Sequence, residues 1–343
     1  MDKKVITIPK DMILSKSLGF CEMLNRINFN EINEIVYDAS EIGRIEPFGM
    51  LLISSKIREI SKIYKDKTGK LAKYKKIANP NSYASHMGLY RSLLMKYGNK
   101  PGEANGSCRY SPITGITVDK IIEDSNKLMQ PVGETVTNYA HELSNTLYTG
   151  DTKCIDHMTF AIREIMRNVV EHSNSKTLWY CAQAWPSENS VEIAILDEGI
   201  GIQETIASNS YYRDKNQDNL TAIQFSLQPG ITKTFSPHRS HNDDDTWKNS
   251  GFGLYMTSNI CRTIGDFVIC SKGHALVLRG DNEYIFKTSF NGTAIRMRLN
   301  LSKLSEVTKL RSQLIRQGEK EARANGKEAV KSASKASRLS YIK

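Results

Sequence analysis

The sequence predicts an α/β (α+β) protein made of two units, and three observations lead to that fold class. Strand-like and helix-like segments alternate through the first hundred residues, as in a small α/β sandwich. In a second region, 131–300, an apolar helix, a buried strand and a glycine-led helix follow one another. The 343 residues are enough for two domains, and 39% hydrophobic with 24% charged residues is typical of a globular protein with a substantial core.

The first predicted unit spans residues 1–100. Its elements are two strands and two helices: Val5–Ile8, Glu34–Tyr37, Phe48–Tyr64 and Tyr83–Tyr97. Prolines and glycines then cluster between Gly98 and Thr117, which indicates a linker at 101–130.

One helix of the second unit carries three polar residues at regular spacing. Apolar residues recur from Ile162 to Val170 and predict its buried face. Glu164, Asn168 and His172 recur every four residues on another stripe, each about 6 Å from the next. A carboxylate can deprotonate an attacking water or hydroxyl, and an amide oxygen suits Mg²⁺. A plain amphipathic helix with a polar shoulder would give the same pattern.

A buried strand, Ser190–Leu196, ends at Asp197 and is followed by Gly199 and Gly201. A carboxylate at a strand end can accept a hydrogen bond from the amino group of adenine and would repel the acceptor that guanine presents there. The two glycines allow a ligand to approach the backbone closely. An ordinary turn after a strand is the alternative interpretation.

Gly251 and Gly253 precede an apolar run that begins at Leu254 and predicts a helix. Free amides at a helix N-terminus bind phosphate. The polar segment before Gly251 is longer than most loops inside a domain, and loops of such length are usually functional or disordered. Lys233 in that segment is a candidate phosphate contact, although an exposed loop lysine would look the same.

Three sequence motifs follow one another in the second unit: 164–172 (EIMRNVVEH), 197–201 (DEGIG) and 250–254 (SGFGL). Gly292-Thr293 follows on a late strand. In this order they resemble the N, G1 and G2 boxes and the closing Gly-Thr of the GHKL ATPase superfamily. The resemblance covers roughly residues 130–300. It implies a Bergerat-type α/β sandwich with a mixed sheet at 131–300, which binds ATP with Mg²⁺.

The resemblance also implies roles for individual residues. Glu164 would orient the attacking water, Asn168 would hold Mg²⁺ and Asp197 would select adenine. The other implied contacts with the nucleotide are His172, Gly199, Gly201, Lys233, Gly251, Gly253, Leu254 and Thr293. The segment between the G boxes corresponds to an ATP lid, which would become ordered around the γ-phosphate.

In the first unit, residues 35–40 (IVYDAS) and 45–52 (IEPFGMLL) resemble the central part of STAS domains, the anti-sigma antagonist fold. This resemblance covers roughly residues 1–100. STAS domains that are regulated by phosphorylation carry Ser or Thr just before the glycine that starts the helix, whereas Glu46-Pro47-Phe48 precedes Gly49 here. The unit is therefore predicted to be a docking or dimerisation module.

A motif at 140–145 (AHELSN) looks like the phosphoacceptor box of a sensor histidine kinase, which would be a different interpretation of the second unit. The chain between His141 and Asn168 is too short for a two-helix hairpin and a strand. His141 is therefore expected on the surface of the first helix of the second unit.

The basic charge is concentrated in a predicted helical tail, 301–343, which carries most of the net charge of +10. The tail could contact nucleic acid or an acidic partner, and a solvated terminal helix is the alternative. No run of eighteen apolar residues and no signal-like N-terminus is found, and the six cysteines lack CxxC pairing. We therefore expect a cytoplasmic protein with reduced thiols and without membrane contact.

The sequence as a whole predicts a Mg²⁺-dependent regulatory ATPase that acts as a nucleotide-dependent switch. Its partner would be another protein or a second copy of the chain, contacted through the STAS-like unit and the lid. Two alternatives remain open: an anti-sigma-type serine/threonine kinase acting in trans, and a nucleic-acid-linked ATPase.

Overall fold

A computed structural model describes residues 2–213, 218–233, 235, 250–324, 330 and 332–334. Within these residues the chain forms two sheets and eleven α-helices. The first sheet is parallel, in the order β1 (Asp2–Thr7), β2 (Ile32–Asp38) and β3 (Lys73–Tyr74). Two long helices accompany it, α1 (Leu14–Asn25) and α2 (Pro47–Thr68).

The predicted strands and the predicted long helix of the first unit are confirmed. The single helix predicted at Tyr83–Tyr97 is wrong. The segment forms two short helices, α3 (Ser82–His86) and α4 (Leu89–Ser92), because Gly88 takes a left-handed conformation between them, with φ of 80°.

The predicted linker also differs from the structure. Residues 101–130 include β4 (Tyr110–Thr117) and α5 (Val118–Lys127), so they belong to the second sheet and its helices. Pro112 and Gly115 indicate a linker in sequence, but β4 lies at a sheet edge, where proline is tolerated. The register of β4 against its neighbour is irregular between Ser111 and Thr114.

The second sheet has seven strands. Its remaining elements, with the last helix of the chain, are α6 (Val132–Leu147), α7 (Thr152–His172), β5 (Thr177–Trp185), β6 (Ser190–Asp197), α8 (Gly201–Ala207), α9 (Asn219–Ser226), α10 (Gly253–Ile264), β7 (Gly265–Ser271), β8 (His274–Arg279), β9 (Asn282–Lys287), β10 (Thr293–Asn300) and α11 (Val307–Ala324). The strand order is β4-β5-β6-β10-β7-β8-β9.

The expected mixed sheet is wrong for this second sheet, because every strand pair in it is antiparallel. Short turns join β5 to β6, β7 to β8 and β8 to β9, which requires antiparallel pairing. The last strand, β10, inserts between β6 and β7 and runs antiparallel to both.

Both faces of the seven-stranded sheet are covered at its centre. Ile193 and Ile195 of β6 contribute to the core beneath α6, α7 and α10, whereas Ala194 and Leu196 contribute to the core shared with the N-terminal unit. Burial on both faces explains why β6 is an almost unbroken apolar run and not an alternating one.

The basic tail is partly built into this fold. The helix α11 packs on α7 and α10, and its Arg311 guanidinium lies 4.3 Å from the ring centroid of Phe160. Residues 325–329, 331 and 335–343 of the predicted tail lie outside the described residues. His141 is exposed on α6, as expected. Among the described helices, none has the length and apolar character needed to cross a bilayer.

Candidate functional site

A pocket opens between α7, α8, α10 and the helix-covered face of the seven-stranded sheet. Nine of the predicted site residues line it: Glu164, Asn168, His172, Asp197, Lys233, Gly251, Gly253, Leu254 and Thr293. Strings that are far apart in sequence therefore meet in one cavity.

The polar stripe of α7 forms one wall of this pocket. The helix begins after Asp151, whose carboxylate accepts a hydrogen bond from the Lys153 amide at 2.8 Å. Glu164 is buried, and the fully buried guanidinium of Arg163 donates to its carboxylate. The buried cation offsets the cost of burying this carboxylate, which faces the pocket.

Asp197 lies at the end of β6 and is almost completely buried. Burial raises the pKa of Asp197 to about 6, against the lowering effect of hydrogen bonds from Gly199 and Thr293. The Gly199 amide donates to Asp197 Oδ1 at 2.8 Å. Above about pH 6 the pocket thus contains a buried, negatively charged acceptor.

The two glycines after Asp197 shape the adjoining loop, and neither lies on the pocket wall. A Cβ on Gly199 would be 2.0 Å from the carbonyl oxygen of Ser173. The amide of Ile200 donates to that same oxygen at 2.9 Å. This loop is therefore fastened to the end of α7, and Gly201 begins α8.

The second glycine pair brings α10 close to α7. A Cβ on Gly253 would be 1.9 Å from Glu164 Oε2, so only glycine fits there without displacing the carboxylate. Amides in the first turn of a helix have no intrahelical acceptor and are suited to phosphate oxygens. Glu164 therefore lies beside a potential phosphate site.

Lys233 reaches the pocket from the segment predicted as a lid. Burial lowers the pKa of His172, and the charges of Lys233 and Arg167 lower it further, against the raising effect of Glu171. His172 is accordingly neutral at neutral pH. The rest of the predicted lid, 236–249, with its histidines and aspartates, lies outside the described residues.

The described side chains contain no cluster of three or more His, Cys, Asp or Glu suited to a metal ion. Asn168 offers an amide oxygen in the pocket. One protein oxygen is compatible with Mg²⁺, which keeps several waters and commonly shares its coordination with substrate phosphates.

The apolar floor of the pocket was not predicted. It is formed by Ile195, Ile269 and Ile295, which come from β6, β7 and β10, while α8 adds Thr205 and Ile206. The two-residue period of a strand could have indicated Ile195, which lies two positions before Asp197 and so on the same face of β6. No local signal shows that β7 and β10 lie next to β6.

The N-terminal unit supports the loop behind Asp197. Ser55 and Arg58 of α2 donate to Glu198 Oε1 at 2.7 and 2.6 Å, and Arg58 also stacks 4.6 Å from the centroid of the Trp179 ring. Glu198 directly follows Asp197. Sequence patterns did not indicate this contact, because it joins residues more than a hundred positions apart.

A comparison with protein-family models finds no match to this chain, and comparisons with curated proteins and with solved structures find none either.

Proposed function

We propose that this pocket binds ATP with Mg²⁺ and that the protein is a regulatory ATPase. One observation carries the proposal. The same apolar pocket receives a buried carboxylate from a strand end and a glycine-led helix N-terminus, and that helix abuts a second carboxylate. The first carboxylate fits the amino group of a purine, and the helix start fits phosphate.

Each residue then has a distinct role. Asp197 accepts a hydrogen bond from the amino group of adenine, while the apolar floor contacts the base. Asn168 would hold Mg²⁺, which neutralises phosphate charge when bound. Glu164 lies next to the first turn of α10, where it can orient and deprotonate a water near the terminal phosphate.

The conformational part of the proposal concerns the lid and the N-terminal unit. Lys233 belongs to the predicted lid, and Ser55 and Arg58 bind the residue after Asp197. Nucleotide binding would therefore change the contacts made by the lid and by α2. We propose that a protein partner or a second copy of the chain responds to this change.

The test separates binding from turnover. Glu164→Gln should bind ATP within a few-fold of the parent by calorimetry, and its hydrolysis rate should fall by about 100-fold or more, because general base catalysis is lost. Chelation of Mg²⁺ should abolish turnover in the parent. Glu142→Gln is the control, because Glu142 is exposed on α6 and does not line the pocket.

Failure would take two different forms. A parent protein that shows no ATP binding by calorimetry refutes the proposed function. A Glu164→Gln variant that hydrolyses ATP at the parent rate refutes only the assigned base. Labelled γ-phosphate should appear as free phosphate, and its recovery on a partner's hydroxyl would favour a kinase instead.

A further inference from the structure

The outer edge of the seven-stranded sheet at β9 is exposed and apolar. All six residues of this strand are exposed. Tyr284, Ile285 and Phe286 keep 49%, 51% and 39% of their surface open to solvent. Exposed apolar edge strands readily pair with other chains, and natural proteins usually protect them.

The opposite edge of the same sheet shows such protection. Pro112 in β4 has no amide proton, and the register of the strand is irregular beside it. The Ile113 amide donates to the Met87 carbonyl at 3.1 Å, and the Ile113 carbonyl accepts from the Gly102 amide at 2.8 Å. Along β9, by contrast, no strand among the described residues pairs with the outer side.

The backbone groups on that outer side can be assigned to particular residues. The hairpin between β8 and β9 has Arg279 opposite Asn282, and the Thr288 amide donates to the Gly273 carbonyl at 3.0 Å, towards β8. Alternate residues of an antiparallel strand direct both backbone groups to the same neighbour. The even-numbered residues of β9 therefore face β8, and Glu283, Ile285 and Lys287 present their N–H and C=O groups outwards.

We propose that β9 pairs in antiparallel fashion with β9 of a second copy of this chain, about a two-fold axis at Ile285. In this register Glu283 lies opposite Lys287 of the other copy, twice. Tyr284 lies opposite Phe286, and Ile285 lies opposite itself. Opposite-charge pairs and aromatic pairs both stabilise such strands. The three outward residues of each copy supply about six inter-chain hydrogen bonds.

The charge pattern selects this register over its neighbours. A two-fold axis at Tyr284 would place Glu283 opposite Ile285 of the other copy. An axis at Phe286 would place Lys287 opposite Ile285. Only the axis at Ile285 matches charge with charge and apolar with apolar along the strand. The strand is thus complementary to itself, which fits an identical partner.

Sedimentation of the full chain over a range of concentrations tests the proposal. The parent should dimerise. Glu283→Lys and Lys287→Glu should each weaken association by about tenfold or more, because like charges then oppose each other twice. An equimolar mixture of the two variants should restore dimers, since every facing pair is again of opposite charge. Glu123→Lys, an exposed residue of α5, should leave association unchanged.

A cross-link tests the position of the axis. In a Cys108→Ser background, which removes the exposed native thiol, Ile285→Cys should form a disulfide-linked dimer on mild oxidation. Facing residues of a hydrogen-bonded pair are about 5.5 Å apart at Cα, within disulfide range. Leu71→Cys, at a site 73% exposed, is the control. The proposal is overturned by a monomeric parent, by failure of the mixture to dimerise, or by equal cross-linking of the control.

Discussion

The two ends of the pocket are built from different kinds of structure. At one end, Asp197 of β6 and Thr293 of β10 face each other in the sheet register. At the other end, Lys233 comes from a loop, and Gly251 and Gly253 come from the entry to α10. Ladder hydrogen bonds hold the strand residues, whereas loop segments rearrange at low cost.

This difference has a functional consequence. We infer that the proposed purine end, at Asp197 and Thr293, is formed before the nucleotide binds, and that the proposed phosphate end, at Lys233, Gly251 and Gly253, adjusts to the ligand. Substitutions at the first end should therefore act mainly on affinity. Substitutions at the second end should act more on turnover, because they alter the position of Glu164 relative to α10.

The largest effect is expected for Asp197→Asn. The carboxylate accepts hydrogen bonds from Gly199 and Thr293, whereas an amide has only one acceptor oxygen, and its NH₂ group would face a donor. With the adenine contact also weakened, a loss of about 3 kcal/mol gives about 150-fold lower ATP affinity by calorimetry.

The pH profile supplies the control for this variant. Parent affinity should fall as pH drops through about 6, because protonation of Asp197 removes its negative charge and turns one of its acceptor oxygens into a donor. The nucleotide titrates as well, so the informative quantity is the difference between the parent and Asp197→Asn profiles. Equal affinities at neutral pH, or parallel profiles, would contradict the purine role of Asp197.

Gly253→Ala should have the next largest effect, at the phosphate end. The new Cβ would lie 1.9 Å from Glu164 Oε2, so the carboxylate must move while Arg163 holds its other oxygen. We expect turnover to fall by about tenfold or more and ATP affinity to change less. Gly19→Ala is the control, because that position has open space around it. If Gly253→Ala lowers ATP affinity more than turnover, the proposed difference between the two ends of the pocket is wrong.

The same contrast explains which features could be predicted from the sequence. The stripe on α7, the position of Asp197 and the start of α10 follow from residues a few positions apart, where periods of 3.6 and 2 apply. The insertion of β10 between β6 and β7 depends on pairing of distant segments. The same holds for β4. Its proline indicates a linker, because no local pattern shows that the strand lies at a sheet edge.

The smallest effect is expected for Arg58→Ala, which tests whether α2 contributes to the purine end. Arg58 binds Glu198 at 2.6 Å and stacks on Trp179, so its loss frees the loop after Asp197 on one side. Ser55 still binds Glu198, and Arg58 is partly exposed, so a loss of about 1 kcal/mol, or three- to fivefold in ATP affinity, is expected. The preference for ATP over GTP should also decrease, because the loop that positions Asp197 is held by fewer contacts.

The control is Lys75→Ala, which removes an exposed pair with Asp38 in the first unit and should leave ATP affinity and the preference for ATP unchanged. If Arg58→Ala and Lys75→Ala behave alike, α2 covers the sheet without influencing purine recognition, and β6 and β10 alone hold Asp197 in position.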